Sequence, residues 1–212
     1  MKKEVKNKIE EKSGKLFQAS GHQIIPDFMD DPEYYKVLQD LIFGNYNEDY
    51  AELGLPDFQW IYGKYTKDSP PQMPLSYFFS HIFYCLPPLE HKISFRISPH
   101  YDMMQPILGL INEKYLNPNG MGQIKSVIRC RANYFPHTAD KVHEYATHVD
   151  YNFPHTAAIL SLNTCDGYTK LEDGTKIPSV DNQMLFSDGS KKHCSTTTTN
   201  SNARFNIVIN FI

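Results

Sequence analysis

The stretch "NARFNIVINFI", residues 202–212, alternates between apolar side chains and a second, mostly polar set. One face of such a segment would carry Phe205, Ile207, Ile209 and Phe211, and the other Arg204, Asn206, Val208 and Asn210. A period of two residues is that of a β-strand, in which successive side chains point to opposite faces. We therefore predict a strand with one face on an apolar core and the other on a polar space.

Further short strands and tight turns are predicted upstream of this segment. "QIKSVIRCRANYF" alternates from residue 123, while "LEDGTKIP" and "FSDGSKKH" contain the turn pairs Asp173-Gly174 and Asp188-Gly189. The first half differs, because residues 30–46 and 101–115 have the proline positions and apolar spacing of helices. Helices followed by many short strands predict an α+β, mainly β domain built around an antiparallel sandwich or barrel.

Length and composition limit the classes of protein to consider. The 212 residues suit a charged N-terminal extension at 1–14 and a single domain at 15–212, with its core barrel at about 121–212. The net charge is −3 and no run of lysine and arginine looks like a phosphate-binding stripe, so we expect no nucleic-acid partner. No segment approaches the length of about 18 uncharged apolar residues that a membrane span needs. We expect a soluble, cytoplasmic protein with reduced, mostly buried cysteines; the oligomeric state stays open.

A candidate metal site begins in "THVDYNFPHT", residues 147–156. On a strand, His148 and Asp150 would point the same way, and His193 follows the Asp188-Gly189 turn. Two histidines and one carboxylate can occupy one face of an octahedral ion and leave adjacent positions open, as in non-haem iron(II) oxygenases. The pair alone has a simpler interpretation, a histidine oriented by a neighbouring carboxylate.

Arg204 is the second candidate functional residue. A guanidinium on a strand next to apolar positions needs an anionic partner, and its planar fork suits a carboxylate. One interpretation is an internal ion pair with an Asp or Glu. The other is an anchor for a dicarboxylate whose opposite end chelates the metal.

Taken together, "HVD", "GYTKLEDGTKIPSV", "FSDGSKKH" and "ARFNIVIN" resemble the core of the Fe(II)/2-oxoglutarate-dependent dioxygenases. Within this superfamily the chain is most similar to the prolyl-4-hydroxylase-like branch, especially to uncharacterised members from marine bacteriophages. The motif-bearing part is roughly residues 121–212. The resemblance implies a double-stranded β-helix (jelly-roll) core with N-terminal helices packed on one sheet.

The resemblance also implies roles for individual residues. His148, Asp150 and His193 would be the iron(II) ligands and the catalytic centre, and Arg204 would bind the distal carboxylate of 2-oxoglutarate. Tyr134, in "RANYFP", would add a hydroxyl to that carboxylate, with a core tyrosine as the alternative. Dioxygen would be the second cosubstrate, and ascorbate is an optional cofactor.

The implied activity is a hydroxylase that releases succinate and CO2. Its substrate would be a prolyl residue of a peptide or protein, or, as the alternative within the family, a free amino acid or another small metabolite. A third hypothesis is a non-catalytic β-sandwich that serves as a binding or structural module. Iron(II)-dependent decarboxylation of 2-oxoglutarate distinguishes the enzymes from the module.

Overall fold

A computed structural model describes residues 21–45, 57–64, 77–86 and 96–212 of the chain. The charged extension predicted at residues 1–14 lies outside these ranges. The strands are β1 (His22–Ile25), β2 (Ile61–Lys64), β3 (Tyr77–Cys85), β4 (Arg96–Ile97), β5 (Val127–Pro136), β6 (Thr156–Ser161), β7 (Cys165–Leu171), β8 (Lys176–Ser179), β9 (Gln183–Asp188), β10 (His193–Cys194) and β11 (Ala203–Phe211). The helices are α1 (Pro32–Phe43) and α2 (Gln105–Ile111). A 3₁₀ turn (Tyr101–Met104) precedes α2, and a π-helical turn (Asn112–Leu116) follows it.

The strands form two antiparallel sheets. The larger sheet has eight strands in the order β1-β9-β6-β11-β5-β3-β2, with β4 paired to β3. The smaller sheet has the order β10-β7-β8. Strand β11 lies at the centre of the larger sheet, between β5 and β6. The alternating C-terminal segment is therefore paired along both edges.

Helix α1 has the termini that its sequence predicts. The side chain of Asp31 accepts hydrogen bonds from the backbone N–H groups of Glu33 and Tyr34, both at 3.0 Å, and Pro32 occupies the first turn. Gly44 ends the helix with φ +76°, a left-handed conformation that glycine adopts without strain. The prediction of a helix over this segment is confirmed.

The main core lies between the helices and one face of the larger sheet. Leu38 and Ile42 of α1 and Ile107 of α2 pack in one buried cluster with Ile207 and Ile209 of β11. A second, smaller cluster lies between the two sheets and comprises Ile159, Ile177, Leu185 and Val208, with Leu171 against it. The helices therefore cover one face of the larger sheet, and the smaller sheet faces the other.

The space between the two sheets is where the polar face of β11 points. Arg204, Asn206 and Asn210 are all buried there, as the alternation in the sequence predicts. The hairpin predicted at Asp173-Gly174 joins β7 to β8, and Gly174 has φ +87°. The four cysteines are free thiols, and all but Cys85 are buried. No helix in the described ranges is long and apolar enough to cross a membrane.

Candidate metal centre

His148, Asp150 and His193 meet at one end of the space between the sheets. One potential ligand atom from each residue lies within 4.8 Å of the other two. Among the described residues, this is the only group of three or more His, Cys, Asp or Glu side chains that could hold a metal ion. His193 Nε2 lies 3.9 Å from Asp150 Oδ2, and the two imidazole centroids are 4.6 Å apart. The structure therefore brings together the three residues that the sequence singles out.

The backbone that carries these side chains differs from the prediction. His148 and Asp150 do not lie on a regular strand, because His148 makes only an isolated antiparallel bridge to His193. The two backbone hydrogen bonds of this bridge, each 2.9 Å long, join His148 and His193 in both directions. Asp150 is held separately, since its N–H donates to the Gly189 carbonyl at 3.0 Å. The predicted turn at Asp188-Gly189 thus contributes to the site twice, because the carbonyl of Gly189 holds the backbone of Asp150 and His193 follows the turn.

Backbone carbonyls orient both imidazole rings. His148 Nδ1 lies 3.3 Å from the Ala146 carbonyl oxygen, and His193 Nδ1 lies 3.0 Å from that of Lys191. Since a carbonyl only accepts, each Nδ1 must carry the proton, which leaves Nε2 as the atom that can ligate a metal. This orientation of a ligand by its other ring nitrogen is usual in metal sites.

The charge state of the site suits a cation. Burial, followed by the neighbouring His193, lowers the pKa of His148 to about 4, so its ring is neutral near pH 7. Burial alone would raise the pKa of Asp150, but the charges of Arg129, His193 and Arg131 hold it below its usual range. A neutral imidazole and an ionised carboxylate are the forms that bind metals.

Other histidines of the second half lie elsewhere. His155 packs its ring against Gly189, where an added Cβ would lie 2.1 Å from the imidazole Nε2. His143 contacts Asp140, and His137 is exposed with its Nδ1 near the carbonyl of Ser201. None of these three belongs to the group of potential ligands.

Arg204 is buried in the same inter-sheet space, with 1% of its surface exposed. Its Nη2 donates to the hydroxyl of Thr169 at 2.9 Å, and its guanidinium lies 5.4 Å from the centroid of Phe135. Its side chain passes close to Gly167, where an added Cβ would lie 2.7 Å from Arg204 Cδ and 2.7 Å from a backbone oxygen. A larger residue at 167 would therefore displace the arginine.

Tyr134 is not beside Arg204, contrary to the expectation that its hydroxyl joins the same pocket. In the register of β5 with β11, Tyr134 lies opposite Phe205, whereas Arg204 lies opposite Phe135. Opposed residues share a face, so Tyr134 points to the helix side of the sheet, where its ring contacts Trp60 and Phe205. The alternative interpretation, a core tyrosine, describes its position.

Asn133 points to the opposite face of β5 from Tyr134, into the space between the two sheets. It lies opposite Asn206, and its Nδ2 donates to Asn206 Oδ1 at 2.9 Å. Its own Oδ1 is buried without a hydrogen-bond partner in the described part of the chain. An unsatisfied buried amide oxygen is costly and rare, which suggests that a water or ligand completes this pocket.

Sequence reasoning missed four residues of the site: Arg129, Asn210, Thr169 and Gly167. Arg129 and Asn210 bind the carboxylate of Asp150. The alternation of β11 already placed Asn210 on the polar face, and Arg129 lies in the alternating segment that begins at residue 123, so part of the signal was present in the sequence. Gly167 is the only glycine of β7, and a lone glycine within a strand signals a bulge or a close approach of another group. Nothing in the sequence marks Thr169.

Comparison with known proteins gives matches at the level of structure alone. No protein-family model matches the sequence, and no curated protein matches it. An oxidoreductase of the 2OG-Fe(II) oxygenase family from Burkholderia pseudomallei superposes with a TM-score of 0.61 at 12% identity, covering 95% of this chain and 89% of the other. A prolyl hydroxylase from Trichoplax adhaerens, in complex with a hypoxia inducible factor peptide, gives 0.61 at 12% identity, covering 100% and 92%.

A third solved structure has a different activity. The non-heme alpha ketoglutarate dependent epimerase SnoN from nogalamycin biosynthesis superposes with a TM-score of 0.61 at 11% identity, covering 97% of this chain and 83% of the other. The chain thus has the jelly-roll fold of these solved 2OG-Fe(II) oxygenases, which confirms the predicted fold class. The similarity to bacteriophage members stays a prediction.

Proposed function

We propose that this chain is an Fe(II)- and 2-oxoglutarate-dependent oxygenase. The observation that carries the proposal is the convergence of His148, Asp150 and His193, with ligand atoms within 4.8 Å of one another, inside a jelly roll that also buries Arg204. Neither feature alone would be sufficient. A metal-binding group has many uses, and a buried arginine is often structural.

The donor set fits iron(II). Two imidazoles and one carboxylate form the facial arrangement typical of non-haem iron(II) oxygenases, and three protein ligands leave positions for other molecules. The side chains of Asp150 and His193 are 4% and 11% exposed, so an ion held there would be largely screened from bulk water. Bound iron(II) would supply the site at which dioxygen is activated and 2-oxoglutarate is converted to succinate and CO2.

Arg204 and Thr169 would bind the far end of 2-oxoglutarate. Thr169 lies two residues before Leu171 on β7, and Leu171 is paired with His193 on β10. Two residues of a strand span about 7 Å, so the Arg204–Thr169 pair lies roughly one small dicarboxylate away from the metal ligands. A guanidinium binds a carboxylate through two parallel hydrogen bonds, which would fix the cosubstrate in one orientation.

The apolar residues between the sheets would keep this pocket dry. Val208 of β11 lies between Asn206 and Asn210 on the inner face, and it packs with Ile159 of the neighbouring strand β6 and with Ile177 of β8 in the facing sheet. In a dry pocket the pairing of Arg204 with a carboxylate is stronger than in water. These residues therefore position and shield the cosubstrate and take no part in the chemistry.

We infer that the reaction is a hydroxylation and that a prolyl residue in a peptide is the first substrate to test. The support is the similarity to a prolyl hydroxylase that was solved with a bound peptide. The similarity to an epimerase keeps a small-molecule substrate as the second candidate. A non-catalytic module is the third hypothesis, and it predicts no turnover of 2-oxoglutarate.

Turnover of 2-oxoglutarate without any second substrate tests the proposal. Purified protein with iron(II), 2-oxoglutarate and dioxygen should release succinate slowly, and added chelator should stop the release. His193→Ala should abolish it, while His143→Ala, the matched control outside the site, should retain it. Succinate release that is equal in the wild type and in His193→Ala would reject the oxygenase assignment.

The substrate class needs a second assay. Proline-containing peptides and free amino acids are incubated with the enzyme in parallel, with and without ascorbate, and products are identified by mass spectrometry. A gain of one oxygen atom on proline, together with faster succinate release, is the expected result. Faster release with a free amino acid only would transfer the assignment to the small-molecule alternative.

A further inference from the structure

Asp150 is held by a closed ring of hydrogen bonds. Arg129 Nη2 donates to Asp150 Oδ1, and Asn210 Nδ2 donates to Asp150 Oδ2 at 2.9 Å. The ring is closed by Arg129 Nε, which donates to Asn210 Oδ1 at 3.1 Å. Each of the three side chains therefore contacts the other two, and each oxygen of the carboxylate accepts one hydrogen bond.

The register of the larger sheet builds this ring. Arg129 of β5 and Asn210 of β11 are directly opposed in the ladder, so their side chains leave the same face of the sheet side by side. Asn210 is fully buried, and the Asp150 side chain is 4% exposed. Residues on two paired strands thus fix a carboxylate that itself belongs to no regular strand.

The two oxygens of Asp150 are not equivalent. Oδ2 is 3.9 Å from His193 Nε2, within the group of potential ligand atoms, and it receives one hydrogen bond from a neutral amide. Oδ1 is bound to the charged guanidinium of Arg129. Of the two lone pairs of Oδ1, the one that accepts from the guanidinium is not available to a cation, and the positive charge beside it disfavours a cation at the other.

We propose that Arg129 and Asn210 are positioning residues that restrict Asp150 to one metal-binding oxygen, Oδ2. This inference rests on the proposed function, because it concerns the same metal. A carboxylate that binds through one oxygen takes one coordination position, and a carboxylate that chelates takes two. By blocking Oδ1, Arg129 keeps open a position that the cosubstrate needs.

Replacing Arg129 should change the metal affinity in the direction opposite to the one expected from the loss of its charge alone. Arg129 is a cation near a metal ligand, so removing its charge should, on Coulomb's law alone, strengthen the binding of a divalent ion. Removing its hydrogen bonds should weaken that binding, because the freed carboxylate must be ordered when the metal binds. Partners of metal ligands typically contribute about 10-fold to 100-fold in metal affinity.

Arg131 offers a matched control for the charge. It lies two residues from Arg129 on the same face of β5, and its charge also lowers the pKa of Asp150 and of His148. Its guanidinium lies 5.4 Å from the centroid of Phe78. Arg131→Met therefore removes a comparable charge from the same neighbourhood without removing the ring of hydrogen bonds around Asp150.

The test is a titration of the full chain with Mn(II), an oxygen-stable substitute for iron(II), followed by electron paramagnetic resonance of the unbound ion. Arg129→Met and Asn210→Ala should each weaken Mn(II) binding by about 10-fold to 100-fold. Arg129→Lys, which keeps a donor and the charge, should recover part of the loss, and Arg131→Met should bind as tightly as the wild type or more tightly.

A second readout separates positioning from general stability. The visible absorption spectrum of bound Co(II) reports the number and geometry of its ligands, and it should change in Arg129→Met. A merely structural role would lower the melting temperature and leave this spectrum unchanged.

Several outcomes would overturn the inference. They are Arg129→Met binding Mn(II) as tightly as the wild type, Asn210→Ala without effect, or Arg131→Met weakened as much as Arg129→Met. If Arg129→Met does not fold, Asn210→Ala decides by itself, since it removes no charge. Failure of the wild type to bind Mn(II) would reject the proposed function, whereas unaffected variants of a metal-binding wild type would reject only the positioning role.

Discussion

Replacing Arg204 with methionine removes the guanidinium and keeps most of the volume of its side chain. The residue is 1% exposed, and its Nη2 is bonded to Thr169. If it pairs with the distal carboxylate of 2-oxoglutarate, the variant leaves that carboxylate buried without its cation. Loss of one partner of a buried pair costs roughly 3–5 kcal/mol, which corresponds to about two to four decades in dissociation constant.

The assay is calorimetric titration of 2-oxoglutarate into protein loaded with Mn(II), for the wild type and for the variants. Arg204→Met should lose about two to four decades of affinity. Arg204→Lys should lie between it and the wild type, because a lysine keeps the charge without the planar fork. Thr169→Val removes one hydrogen bond of about 1 kcal/mol and should cost about fivefold. Mn(II) affinity should be nearly unchanged in all three.

A purely structural arginine gives a different pattern. If Arg204 serves only the packing and internal bonding of the jelly roll, Arg204→Met lowers the melting temperature and leaves the 2-oxoglutarate affinity of the folded fraction unchanged. Measuring both quantities on one preparation decides the matter, and unchanged affinity would refute the cosubstrate role.

Three further predictions follow from the geometry. In metal-free protein, the pKa of His148 is lowered from 6.5 to about 4, so the unfolded chain binds a proton at this residue at a higher pH than the folded chain does. The free energy of unfolding should therefore fall by roughly 3 kcal/mol as the pH drops from 6.5 to about 4. Urea titrations at several pH values would show this fall, which should be smaller in His148→Gln. Gly167→Ala places a Cβ 2.7 Å from Arg204 Cδ and should weaken 2-oxoglutarate binding without weakening Mn(II) binding; equal loss of both would contradict this. Gly189→Ala places a Cβ 2.1 Å from His155 Nε2 and should destabilise the protein by about 1–3 kcal/mol, and the double variant with His155→Ala should recover part of that loss in thermal melts.

Much of the fold could be predicted because its signals are local. The alternation of β11, the Asp173-Gly174 turn and the proline at the start of α1 each depend on neighbouring residues, and the structure confirms all three. The candidate metal ligands could also be predicted from the sequence, because His148 and Asp150 are two residues apart and His193 closely follows a turn. Their common direction was predicted correctly although the strand was not, since hydrogen bonds to His193 and Gly189 hold that backbone.

The rest of the site depends on register, which a single sequence does not contain. Alternation alone shows that Asn133 and Tyr134 face opposite ways, but only the pairing of β5 with β11 decides which of them shares the face of Arg204. A shift of one residue would exchange them. The contact of Arg129 with Asp150 joins residues 21 apart in the chain, and it likewise depends on how the tertiary fold brings the Asp150 segment against β5.

The central claim is that one metal ion and Arg204 together bind 2-oxoglutarate, and its most direct test is the coupling between the two ligands. Calorimetric titration of 2-oxoglutarate is performed with and without Mn(II), on the wild type and on His193→Ala. We expect a single site whose affinity rises at least about tenfold when Mn(II) is present, and no such rise in His193→Ala. Binding of 2-oxoglutarate that is absent, or equally strong with and without metal, would contradict the claim.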